Sequence, residues 1–178
     1  MVGVARGDEP KDRSGPLFGY GDCSARGQTL TRTIGLRLLA EQRADLPSTF
    51  GFSGNVQRAE NCEMVRSCAI DMTPLEEIDV DSYDCLALVD TQPGFGHTHL
   101  PEGRKIHIVV DHHLPPENPR PIESPEFSDV RLHIGATSSI VTGYLMDAGV
   151  EIPEDISTAL LYGIRTDTAD LALSLIHI

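Results

Sequence analysis

The chain predicts an α/β fold, a mostly parallel sheet flanked by helices. Two short apolar runs carry most of that prediction: Leu86 to Val89 runs into Asp90, and Ile106 to Val110 runs into Asp111, His112 and His113. Short apolar runs bounded by turn residues read as buried parallel strands. The third observation is alternation, because stretches with helical spacing separate the strand-like runs along the chain.

The elements follow in order. Residues 1–16 are polar and read as a disordered or miscalled leader; the Arg6-Gly7-Asp8 tripeptide within them is a chance match. Leu17 to Tyr20 reads as the stub of a first strand. Leu30, Ile34 and Leu38 recur at helical spacing, so a helix is expected over 30–43, with Pro47 beyond its end. A strand over 48–52 and a helix over 58–68 come next, the helix burying Ala59, Met64, Val65 and Cys68. Residues 74–78 read as a turn or short helix, followed by a strand over 83–90. Gly and Pro make 91–103 a loop, in which His97 and His99 are outside candidates for metal ligation. The strand over 105–110 leads to a proline-rich loop at 114–125 and a short edge strand at 127–132. Gly135-Ala136-Thr137 opens a helix to Met146, with Thr137 or Ser138 as its cap and Gly149 as its stop. Pro153 starts the last helix, with Glu154 and Asp155 at its positive end and Ile156, Ala159, Leu160 and Ile164 inward. Asp167 is expected directly after it.

Composition narrows the function classes. A chain of 178 residues can bury a sizeable core. Its formal net charge of −13 argues against a long nucleic-acid-binding face, which needs clustered Lys and Arg. A small anionic substrate suits that charge only where metal ions reverse the local potential. No apolar run reaches the roughly 18 residues a membrane span requires, and no secretory signal is visible. The four cysteines have no CxxC spacing and read as reduced thiols, so a cytoplasmic location is expected.

In open α/β sheets, ligands sit beyond the carboxyl ends of the strands. Asp90 and the Asp111-His112-His113 triplet should therefore project into one crevice. Each alone has an ordinary explanation, a turn former or a surface imidazole. Carboxylate and imidazole together at two strand mouths suit first-row metals, manganese, iron or zinc among them.

These residues resemble the DHH phosphoesterase family, the RecJ-like superfamily that includes nanoRNase/pAp phosphatases and manganese pyrophosphatases. The triplet is Asp111-His112-His113, and a strand ending in Asp is Leu88-Val89-Asp90. A later motif is Tyr162-Gly163-Ile164-Arg165-Thr166-Asp167-Thr168, with Gly135-Ala136-Thr137-Ser138-Ser139 as the helix start between them. The match spans about residues 35 to 171, within a catalytic domain placed at 17–172. The stretch Val89-Asp90-Thr91-Gln92-Pro93-Gly94 is most similar to the bacterial nanoRNase/pAp phosphatase branch.

The resemblance implies a manganese-dependent phosphoesterase working through two ions, which clamp a phosphoryl group and activate a water. It implies hydrolysis of short oligonucleotides or of 3′-phosphoadenosine 5′-phosphate. Asp90 would bridge both ions, His112 would ligate one and Asp167 the other. His113 would face the substrate phosphate, and Asp111 would orient an imidazole. Arg165 would touch substrate or form a surface ion pair. Thr137 and Ser138 would donate hydrogen bonds to a phosphate oxygen or simply cap their helix. A homodimer is compatible with the resemblance.

The first family motif departs from the pattern. Gapless alignment puts Asp22, Arg26 and Gln28 where His, Asp and Asp are expected, and only Asp22 keeps a metal-ligating group. An Arg in a dinuclear site places a permanent cation where cations need an anion. Poor metal binding and little hydrolysis follow. The codons for Gly27-Gln28-Thr29-Leu30-Thr31 also permit, one nucleotide out of frame, Ala-Asp-Ala-His, so a compensated frameshift is one reading. The last six residues, Leu173-Ser174-Leu175-Ile176-His177-Ile178, read as a translated transposon mosaic-end adapter or as an amphipathic tail. On the adapter reading the gene continues beyond Ala172 into the family's C-terminal substrate domain, which nothing here matches. The competing readings are an inorganic pyrophosphatase and a non-catalytic relative that binds a nucleotide or a partner.

Overall fold

The computed structural model describes residues 17–18, 28–53, 56, 58–95, 103–115, 117 and 123–172. The leader, Asp22, Arg26, His97, His99 and the six-residue tail lie outside the described residues.

The chain forms β1 (Leu17–Phe18), α1 (Gln28–Ala44), β2 (Thr49–Phe52), α2 (Ala59–Ser67) and β3 (Thr73–Pro74). Two single-turn 3₁₀ segments, Leu75–Glu77 and Val80–Ser82, lead into β4 (Leu86–Val89). Then come β5 (Ile108–Asp111), β6 (Phe127–Val130), α3 (Thr137–Asp147) and α4 (Glu154–Asp167). The six strands make one sheet in the order β3-β2-β1-β4-β5-β6, and every pairing is parallel. The chain winds one way from β1 and the other way from β4. The topological switch point, where such sheets bind ligands, therefore lies between β1 and β4.

Period-two alternation sorts the central strands. Ala87, Val89 and Val110 face a core built with Leu36 and Leu38 of α1, Ile140, Val141 and Leu145 of α3, and Leu160 of α4. Leu86, Leu88 and Val109 face the other way, beneath Leu75 and Val80 of the 3₁₀ segments and Ile78 between them. Burial on both faces explains why β4 and β5 read as continuous apolar runs. Phe50 of β2 and Ile70 form a third cluster with Met64, Val65 and Cys68 on the α2 side.

Most elements stand within two or three residues of expectation. β3 is the exception: a two-residue strand at a sheet edge carries no periodicity to read. Asp167 is the last residue of α4 rather than the residue after it. Ala148 follows the last residue of α3, Asp147, as its cap, and Gly149 comes next at φ 62°, where an L side chain is strained. Its amide donates to the Met146 carbonyl at 3.0 Å, and Val150 donates to Leu145 at 2.9 Å, so the helix closes as expected of a left-handed stop.

The three helices over the first core approach closely. A Cβ on Gly163 would collide with the hydroxyls of Ser138 and Thr31, and one on Gly35 would collide with Val141. Small residues at these crossings let α1 lie against α3 and α4, which brings the first turns of α1 to the strand mouths.

Candidate metal centre

β4 ends at Val89, and the chain turns sharply at Asp90, whose φ of 62° is left-handed. Asp tolerates that region better than most residues, and such backbone clusters at functional sites. The Asp90 amide still donates to the Val110 carbonyl at 2.9 Å, so the turn begins on the sheet. β5 ends at Asp111, fully buried, with His112 and His113 on the next bend.

Asp90, His112 and His113 converge: one ligand atom from each lies within 4.8 Å of the others. The Asp90 Oδ1 is 3.6 Å from His112 Nε2 and 3.7 Å from His113 Nδ1. It also accepts the Thr137 hydroxyl at 2.9 Å. His112 Nδ1 is 3.1 Å from the Ile134 carbonyl, which can only accept, so Nδ1 carries the proton. The Nε2 lone pair then points toward the Asp90 carboxylate across a gap that a cation would bridge. Burial, then the neighbouring His113 and Arg32, holds the His112 pKa down to about 4, which keeps the imidazole in its metal-binding form.

Asp111 sits behind the cluster. Its Oδ1 is 2.8 Å from His113 Nδ1, and its Oδ2 accepts the Gln92 side-chain amide at 2.8 Å. Burial alone would raise its pKa, but the hydrogen bonds from His113 and Gln92 outweigh burial and hold it below the usual value. Gln92, itself buried, also donates to the His113 carbonyl at 2.9 Å, so one side chain ties the β4 turn to the β5 turn.

The remaining expected residues divide. Asp167 is at the site, its side chain nearly buried. The Thr137 hydroxyl reaches Asp90 rather than capping α3, whose N-terminal residue Ala136 has no side-chain cap. Ser138 is fully buried with its hydroxyl 3.3 Å from that of Thr31, in the helix crossing. Arg165 is exposed and pairs with Asp170 at 2.7 Å. That is the surface ion pair, one of the two readings the sequence offered for Arg165. The expectation of phosphate donation by Ser138 meets a hydroxyl already spent between helices.

Sequence reasoning missed Arg32. It lies in the second turn of α1 and is fully buried, with its guanidinium paired to both Asp90 Oδ2 and Asp167 Oδ2. The signal was present: Arg32 shares the inward stripe of α1 with Gly35 and Leu36, at the i, i+3, i+4 spacing of a buried face. A charge on such a stripe has a buried partner or a function. Gln92 was visible only as part of a motif; its two-sided bond needs the fold.

Among the described residues, the donor set does not fit a two-ion centre. Asp167 and one oxygen of Asp90 are committed to Arg32, which cannot lose its proton. The imidazole side, with Asp90 Oδ1, His112 and His113, fits one divalent ion.

Comparison with known proteins bears on the fold. The chain shares its fold with part of a crystal structure assigned as a family II inorganic pyrophosphatase. The crystal structure so assigned, from Methanococcus jannaschii, superimposes with a TM-score of 0.63 at 15% identity, over 92% of this chain and 55% of that one. An uncharacterized protein of Methanocaldococcus jannaschii is 33% identical over 159 residues, which is 89% of this chain. The chain spans about a third, 31%, of that relative's length. No family model matches the chain. Among the described residues, no helix is long and apolar enough to cross a membrane.

Proposed function

We propose that this chain carries the catalytic core of a metal-dependent phosphoesterase of the DHH type, with reduced activity as it stands. The observation that carries the reading is the convergence of Asp90, His112 and His113 at the carboxyl ends of β4 and β5, beside the switch point of a parallel sheet. Manganese is the favoured ion, since it accepts mixed carboxylate and imidazole donors. When bound, the ion would supply a Lewis acid for a phosphoryl oxygen and an acidified water. Asp90 and His112 would hold it, with His113 beside them. Asp111 and Gln92 keep the His113 ring and the two turns in register. His113, about a third exposed, is the group placed to meet substrate.

The substrate class is a short oligonucleotide or 3′-phosphoadenosine 5′-phosphate, on the strength of the Gln92-Pro93-Gly94 stretch. Inorganic pyrophosphate is the second reading, favoured by the assignment of the structural neighbour. The non-catalytic nucleotide- or partner-binding reading draws on Arg32, which occupies two carboxylates of the site.

The test is product release by the purified chain with Mn²⁺, nucleoside monophosphate from a short oligonucleotide and inorganic phosphate from 3′-phosphoadenosine 5′-phosphate or pyrophosphate, beside His112→Ala and Asp90→Asn. Slow release from one substrate, lost in both variants, is expected. Release that both variants retain would sink the assignment. Joint Asp22→His, Arg26→Asp and Gln28→Asp replacement, with the expected second domain supplied, should raise the rate. No gain would favour the non-catalytic reading.

A further inference from the structure

The site has two sides, and Asp90 divides them. Its Oδ2 faces the Arg32 guanidinium together with Asp167, while its Oδ1 faces the two imidazoles and the Thr137 hydroxyl. We propose that Arg32 is a built-in cation that serves one side of this centre permanently, so that the site takes a single divalent ion, on its imidazole side. This rests on the metal-centre reading above and narrows it.

Charge carries the argument. Among the described residues, three carboxylates lie in the cleft with side chains almost wholly removed from solvent: Asp90 at 8% exposure, Asp167 at 5% and Asp111 at 0%. Uncompensated charge in such a setting is costly, so buried carboxylates demand partners. Arg32, itself at 0%, supplies one positive charge and remains charged at every accessible pH. Counted over these carboxylates and Arg32, two negative charges remain, and one divalent ion balances them. A second divalent ion would leave this cluster two charges positive and would have to displace a fully buried guanidinium.

Geometry agrees with charge. The planar guanidinium presents separate nitrogens to two carboxylates, Nη1 to Asp90 and Nη2 to Asp167, which a lysine ammonium cannot match with the same fork. Arg32 is also fixed from behind. Thr31 and Thr33 on either side of it are fully buried, and the helix crossing at Gly163 and Ser138 holds this turn of α1 in place.

The experiment counts ions. The full chain is titrated with Mn²⁺ and free ion is read by electron paramagnetic resonance. The unaltered chain should bind one ion with the spectrum of an isolated Mn²⁺, and His112→Ala should lose it. Arg32→Gln and Arg32→Ala should each bind two, with an exchange-coupled spectrum. Two ions in the unaltered chain overturn the proposal. So does one ion in the unaltered chain and still one in both Arg32 variants, although the metal-centre reading then stands. No ion in the unaltered chain but binding by the Arg32 variants overturns it differently, by making the guanidinium a full block. No ion in any form defeats the metal-centre reading and the proposal together. If Arg32→Ala does not fold, Arg32→Gln keeps most of the stem and carries the same test.

Discussion

At Asp90 three demands meet on one side chain. Its backbone turns left-handed to leave the sheet, one oxygen faces Arg32, and the other faces the imidazoles and Thr137. Such a residue cannot be exchanged for a neutral relative without loss on both sides. His112 shows the consequence of this crowding in a form that pH reads out. In the folded chain its pKa is held at about 4, against an ordinary value near 6.5 in an unfolded chain. Between those values the unfolded state binds the extra proton and the folded state does not. Stability therefore rises with pH across that window, and the contribution is fully present above about 6.5 and lost as pH falls toward 4. The slope from this one group cannot exceed roughly 1.4 kcal/mol per pH unit. Urea midpoints in the presence of a chelator, taken from pH 4.5 to 7.5, should show the slope, and His112→Gln should flatten it. An unchanged slope in the variant would mean that another group titrates there.

The helices position these residues, and α4 does so through a single missing side chain. Gly163 meets the hydroxyls of Ser138 on α3 and Thr31 on α1, where a Cβ has no room. Gly163→Ala should destabilise the fold by about 1–3 kcal/mol, because short hydroxyl side chains on two other helices must give way. Gly143 on α3 offers the control. A Cβ there meets nothing, so Gly143→Ala should stabilise by about 0.5–1 kcal/mol through helix propensity alone. Thermal unfolding of the two variants should move in opposite directions; a shared direction would refute the crossing argument. The same contrast shows what the sequence made legible. Apolar periodicity located α1, α3, α4, β4 and β5 to within a few residues, since each buries a regular face. Gly163 looked like part of a motif, and its packing role appears only when α1, about a hundred residues earlier in the chain, meets α3 and α4. Thr137 and Ser138 looked like caps for the same reason: a hydroxyl at a helix start has a local use, and only tertiary contact redirects it.

Across the whole molecule, the sheet order brings the mouths of β4 and β5 and the first turns of α1 to one edge of the switch point. The acid-imidazole cluster was legible because its residues directly follow apolar runs, so their placement needed only the parallel-sheet rule. Arg32 was not, because its role depends on how α1 lies over the strand mouths, which local spacing does not encode. That arrangement gives the fold a net negative pocket of buried carboxylates, only partly neutralised from within. An ion that binds the folded chain alone should then stabilise it by mass action, about 2.7 kcal/mol at a hundredfold excess over its dissociation constant. For a domain of this size that corresponds to an upward shift of roughly 5–11 °C in Tm. Mn²⁺ should produce the shift in the unaltered chain and a chelator should remove it. Asp90→Asn should show none, because it removes the carboxylate charge that faces the imidazoles. A shift of equal size in Asp90→Asn would place the stabilising ion elsewhere on this acidic surface. No shift in either would mean that Arg32 alone satisfies the cleft.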